Sequence, residues 1–116
     1  MKIIPSKFHG VLDYAVTITL IAVPLALGFS DTAKYLALAG GIGLFVYSLI
    51  TDYSLSARKL LPFKTHLVFD FLAALVLIAA PFIFGFVGLE KIFYLVIGIA
   101  VVVVVLITDS NTDVSA

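Results

Sequence analysis

Apolar residues fill four long runs of this chain, approximately residues 11–29, 35–50, 67–87 and 92–107, with polar and charged residues gathered mostly beside them. A helix needs roughly 17–25 residues to cross the hydrocarbon core of a bilayer, and the runs approach or meet that length. The second and fourth are slightly short. Unbroken apolar stretches also occur in buried strands, but strands run to about 4–8 residues. The pattern therefore predicts an all-α membrane protein with four transmembrane helices.

Composition agrees with the pattern. Of 116 residues, 63% are hydrophobic and 12% charged, and the mean hydropathy is +1.26. A soluble domain of this size cannot bury so much apolar surface. The absence of cysteine excludes disulfides, thiolate metal sites and thiol nucleophiles. A formal net charge of zero removes any general attraction to nucleic acid. The lipid bilayer is the expected partner, with a homo-oligomer or larger membrane complex as further candidates. Lys2 and Lys7 before an apolar run imitate a secretory signal, but a near-copy of that segment recurs mid-chain, where a signal cannot act, so it is read as a mature helix.

The recurrence extends along the whole chain. A shift of 57 residues, from His9 to His66, brings Pro5 onto Pro62, Lys7 onto Lys64 and Asp13 onto Asp70 without a gap. It also superimposes Pro24 on Pro81, Gly28 and Phe29 on Gly85 and Phe86, Gly41 on Gly98, and the Ile-Thr-Asp ending at Asp52 on that ending at Asp109. Apolar matches between membrane segments are common, so the polar and special residues carry the inference of duplication. Residues 1–116 read as one membrane domain with internal repeats at 5–52 and 62–109, a linker at 53–61 and a polar, frayed tail at 110–116. Each repeat is a helical hairpin, and the turns FSDTAK and FVGLEK are short enough to require antiparallel neighbours. Both hairpins then cross in the same sense, related by a pseudo-two-fold axis along the membrane normal. Lys2, Lys7, Arg58, Lys59 and Lys64 fall on one side and Lys34 and Lys91 on the other. The bias predicts both termini and the central loop on the cytoplasmic side of the inner membrane.

With tandem helix pairs that each carry a PxxxGF segment, VPLALGF from Val23 and APFIFGF from Ala80, the chain resembles the SPW-repeat family of small bacterial integral membrane proteins. The His-x-x-x-Asp elements and Thr51-Asp52-Tyr53 also fit the resemblance. Neither copy keeps the naming triplet: Val23-Pro24-Leu25 and Ala80-Pro81-Phe82 stand in its place. The resemblance implies a membrane fold and no particular activity, and supplies no catalytic residues.

The chemistry lies in the polar positions. His9, Asp13 and Thr17 share one helix face, as do His66 and Asp70. An ionised Asp at mid-membrane costs about 2.5–3.5 kcal/mol on insertion scales and usually faces the bundle interior. Asp52 and Asp109 end the second helix of each hairpin on the same side of the membrane. A helix C-terminus disfavours Asp and an N-terminus disfavours charged His, so juxtaposing them offsets both misfits. The expectation is a cluster of His9, Asp13, Asp52, His66, Asp70 and Asp109 at the cytoplasmic end. Its leading role is structural, fixing the packing of a bundle that lipid alone does not specify. Proton or cation binding, transport or pH sensing is the alternative. A divalent cation or a haem held by the two imidazoles is a minor one.

Pro24 and Pro81 are expected to kink the first helix of each hairpin. Gly40, Gly41, Gly43 and Gly98 give small-residue spacing for close helix packing. Tyr14, Tyr35, Tyr53 and Tyr94 lie where an interfacial belt requires them, and Tyr47, replaced by Val104 in the other copy, reads as core packing or else as a break in the symmetry of an internal cavity. No nucleophile with an adjacent base and no phosphate loop is evident, which points away from an enzyme.

Overall fold

A computed structural model describes residues 2–51 and 56–109. They form four helices, α1 (Ser6–Ala26), α2 (Asp31–Leu49), α3 (Phe63–Phe84) and α4 (Gly88–Ile107). All four are long and apolar enough to cross a membrane. Each begins four or five residues before its apolar run, so the first turn of each carries polar residues. The extension lengthens α2 and α4 to 19 and 20 residues, and it places His9 and His66 near the start of α1 and α3.

The PxxxGF segments prove to be helix stops. Phe29 N–H donates to Pro24 O at 3.0 Å and Phe86 N–H to Pro81 O at 2.9 Å. Gly28 (φ 64°) and Gly85 (φ 71°) supply the left-handed residue between them, so both turns close as Schellman motifs. The phenylalanines that follow are buried. Pro24 and Pro81 stand in the last turn of their helices. There the carbonyls of both prolines accept the bonds that close the helix ends.

Within each hairpin the helices pack closely, α1 on α2 and α3 on α4, whereas contacts between α2 and α3 are sparse. Gly41 and Gly98 make the close crossings possible. A Cβ on Gly41 would stand 2.9 Å from Ile21 Cγ1 and 3.1 Å from Leu20 Cβ, and one on Gly98 2.8 Å from Ile78 Cγ1 and 3.1 Å from Ala74 O. Gly40 and Gly43 behave differently. A Cβ on Gly43 meets nothing within 4 Å, and one on Gly40 meets only Leu20 Cδ1 at 3.9 Å, so the expectation of close packing is corrected at these two positions.

Polar side chains face inward and apolar ones outward, as lipid requires. His9, Asp13, Thr17, His66 and Asp70 are buried, while Ile18, Phe45, Val76, Ile83 and Val103 are among many exposed apolar residues. Of α4, Tyr94 and Gly98 are buried. The apolar core lies nearer the PxxxGF end, where Leu20, Phe29, Ala33, Leu77, Phe86 and Tyr94 cluster. Tyr94 is therefore core, not belt: its hydroxyl donates to Ala33 O at 2.5 Å across the hairpins. At that same end Glu90 accepts from Ser30 N–H at 2.5 Å and from Ser30 Oγ at 2.9 Å, capping α2 from the other repeat. Tyr35 is exposed and Tyr14 half-buried, while Tyr53 and the tail lie outside the described residues.

Candidate functional site

The opposite end of the bundle is organised by backbone pairing. Ile3 and Ile4 N–H donate to Ile107 O at 2.7 and 3.0 Å, and Asp109 N–H donates to Ile4 O at 2.9 Å. Leu60 and Leu61 N–H donate to Ile50 O at 2.8 and 2.6 Å. The lead-in of each repeat thus satisfies carbonyls that the last helix of the other repeat leaves without intrahelical partners. The two parallel bridges, Ile4 with Thr108 and Thr51 with Leu61, correspond under the 57-residue shift.

This pairing sets Thr51 and Thr108 against the histidines. Thr51 Oγ1 donates to Tyr47 O at 2.5 Å and lies 2.7 Å from His66 Nδ1. Thr108 Oγ1 donates to Val104 O at 2.5 Å and lies 2.9 Å from His9 Nδ1. A hydroxyl has one hydrogen. Because each threonine gives its hydrogen to the carbonyl one turn back, each accepts from Nδ1–H, and each imidazole presents Nε2 to the carboxylates. The hydrogen on Nδ1 is thus assigned from the network, and each close Nε2–carboxylate contact needs a second hydrogen between its partners.

Asp13 and Asp70 complete the group. His9 Nε2 lies 2.8 Å from Asp70 Oδ2 and 3.2 Å from Asp13 Oδ1. His66 Nε2 lies 2.8 Å from Asp13 Oδ2 and 3.1 Å from Asp70 Oδ2. Every contact has its counterpart under the repeat. The rings meet edge to face, with centroids 5.5 Å apart, and Phe63 covers His9 at 5.4 Å. All four side chains are at most 7% exposed.

Tyr47 breaks the symmetry. Its hydroxyl donates to Asp70 Oδ1, a contact that Val104 cannot reproduce. Of the two readings of Tyr47, the break in symmetry beside a cavity fits this contact, and core packing alone does not. Beside it an apolar cavity of about 310 Å3 runs between α2 and α3, lined by Leu20, Gly43 and Leu77 among others, with Asp13, Tyr47 and Asp70 as its polar wall. Gly40 and Gly43 also line it, where their lack of side chains keeps it open.

The six-residue cluster expected from the sequence thus resolves into four. His9, Asp13, His66 and Asp70 converge. Asp109 stands outside the group, half-buried, with its backbone N–H on Ile4 O, and Asp52 lies outside the described residues. The helix-end residues that reach the histidines are the threonines beside those aspartates. The Ile-Thr-Asp repeat was the available signal. A haem fits poorly, since its macrocycle must lie between two ligating imidazoles, whereas here both Nε2 atoms contact the same Asp70 oxygen. What the group can do is form a closed ring of paired charges or hold a small cation. In comparisons with known proteins, no family model, no curated protein and no solved structure matches this chain.

Proposed function

We propose that this chain is a structural or accessory protein of the bacterial inner membrane, in which the buried His/Asp quartet locks two duplicated hairpins together at the cytoplasmic end. The observation that carries this reading is reciprocity. Each histidine contacts a carboxylate of its own helix and one of the other repeat, and is held from behind by the threonine that ends the opposite repeat. Sparse α2–α3 packing leaves such polar links a large share of the joining, and inter-helix hydrogen bonds in membranes contribute about 0.6 kcal/mol on average, with good ones nearer 2. The PxxxGF turns and His-x-x-x-Asp stripes support kinship with SPW-repeat proteins. The distribution of Lys and Arg supports cytoplasmic termini, and a reporter fused to the C-terminus that is active only in the cytoplasm should be active.

Translocation of a proton or cation is the second reading, favoured by the cavity that reaches Asp13 and Asp70. The two separate in one experiment. Joint replacement of His9 and His66 by Gln should lower the unfolding midpoint in detergent, while wild-type proteoliposomes conduct no more protons or divalent ions than empty vesicles. Wild-type flux that the double variant abolishes would replace the structural reading with transport.

A further inference from the structure

We infer that His9, Asp13, His66 and Asp70 form a four-coordinate site for a divalent transition ion of the zinc class, with two imidazole nitrogens and two carboxylate oxygens as ligands. One ligand atom from each residue lies within 4.8 Å of all the others. The four nitrogen-to-oxygen contacts run from 2.8 to 3.2 Å. In a tetrahedral site with bonds of about 2.0–2.2 Å, ligand atoms stand about 3.3–3.6 Å apart. Admitting an ion thus requires these contacts to open by about 0.1–0.8 Å, and Asp13, which meets the two imidazoles through different oxygens, to turn one of them to the centre.

Threonine placement is an independent observation that points the same way. A histidine that ligates a metal through Nε2 almost always donates its Nδ1–H to a fixed acceptor, which sets both tautomer and ring orientation. Thr51 and Thr108 are such acceptors, each locked by its own bond to the carbonyl one turn back. Tyr47 does the equivalent for Asp70, engaging Oδ1 and leaving Oδ2 toward the centre. A simple packing cluster has no need for three of its four members to be aimed inward from behind.

Donor type and charge select the ion. Two nitrogens and two oxygens without sulfur suit zinc, cobalt or nickel. Calcium takes six to eight oxygens and magnesium a near-octahedral shell of oxygens, neither of which the enclosed quartet provides. Two carboxylates also match a divalent charge in surroundings where an unbalanced one is costly. The inference needs the quartet's geometry but not the structural role proposed above, which is measured on metal-free protein.

The test uses the full chain in detergent, stripped with a chelator and titrated with Zn2+ and Co2+. One ion per chain is expected, with cobalt giving the strong visible absorption of four-coordinate geometry and excess Mg2+ or Ca2+ failing to displace it. Thr108→Val keeps all four ligands and should weaken Zn2+ binding about 10–100-fold, an effect that a merely structural threonine would not produce. His66→Asn, with its helix content checked by circular dichroism, should abolish stoichiometric binding. If that variant does not fold, the wild-type cobalt spectrum and Thr108→Val decide. A colourless cobalt titration, zinc affinity indifferent to Thr108→Val, or undiminished binding in a folded His66→Asn variant would overturn the site.

Discussion

Asp70→Ala should destabilise the metal-free protein by about 3–5 kcal/mol, the cost of removing one partner from a buried charged pair. Asp70 Oδ2 contacts both histidines, and its Oδ1 accepts from Tyr47. Without it, His9 Nε2 keeps one carboxylate at 3.2 Å and His66 one at 2.8 Å, and the Tyr47 hydroxyl loses its acceptor beside an apolar cavity. Reversible unfolding in mixed micelles, with chelator present, measures the loss. Asp31→Ala is the comparison. Its carboxylate is 86% exposed and pairs with Lys34 at 3.5 Å, and surface pairs of this kind contribute at most about 1 kcal/mol. A loss for Asp70→Ala no larger than that for Asp31→Ala would mean that the quartet contributes only as ordinary hydrogen bonds do.

Gly98→Ala should cost about 1–3 kcal/mol, the range for forcing a methyl group into a packed site. The new Cβ would meet Ala74 O at 3.1 Å and Leu77 Cβ at 3.2 Å as well as Ile78 Cγ1 at 2.8 Å. The isoleucine can rotate, but the backbone oxygen and the Cβ cannot, so α3 and α4 must separate. Gly41→Ala should behave alike, since the equivalent atoms of Leu20, Ile21 and Thr17 stand at 3.1, 2.9 and 3.3 Å. Gly43→Ala faces open space and gains up to about 1 kcal/mol of helix propensity. It should be neutral or stabilising in the same assay. Equal shifts for Gly98→Ala and Gly43→Ala would contradict the close crossing.

Features that periodicity and duplication both constrain are legible in the sequence. A four-residue spacing aligns His9 with Asp13 on one face, and the repeat forces the same for His66 and Asp70, so the convergence of these four follows once the hairpins pair. The PxxxGF segments were visible as motifs, though their work as helix stops appears only in the hydrogen bonds of Phe29 and Phe86.

The misses have physical causes. Adjacent residues at a helix end point in different directions, so only one of Thr108 and Asp109 can face the axis. Formal charge favoured the aspartate. The threonine faces inward because its hydroxyl can serve the helix carbonyl and the imidazole together. Sequence alone favours core packing for Tyr47 and the belt for Tyr94, because hydropathy does not report which way a hydroxyl turns. Their repeat partners held a clue, since Val104 and Ala37 are smaller, and a bulky residue in one copy facing a small one in the other can reach across the axis.

The reciprocal bridges at the polar end carry an implication about origins. One repeat alone contains a single imidazole, a single inward carboxylate and a strand-like lead-in whose backbone mate belongs to its sibling. Such a half-molecule would have had to self-associate to shield those groups from lipid, and the face it would have used is the seam that now joins the halves of this polypeptide. Fusion of two genes would then have freed each half to diverge, and a tyrosine on one side only, beside the cavity, is the kind of change that a strictly symmetric ancestor could not have made singly.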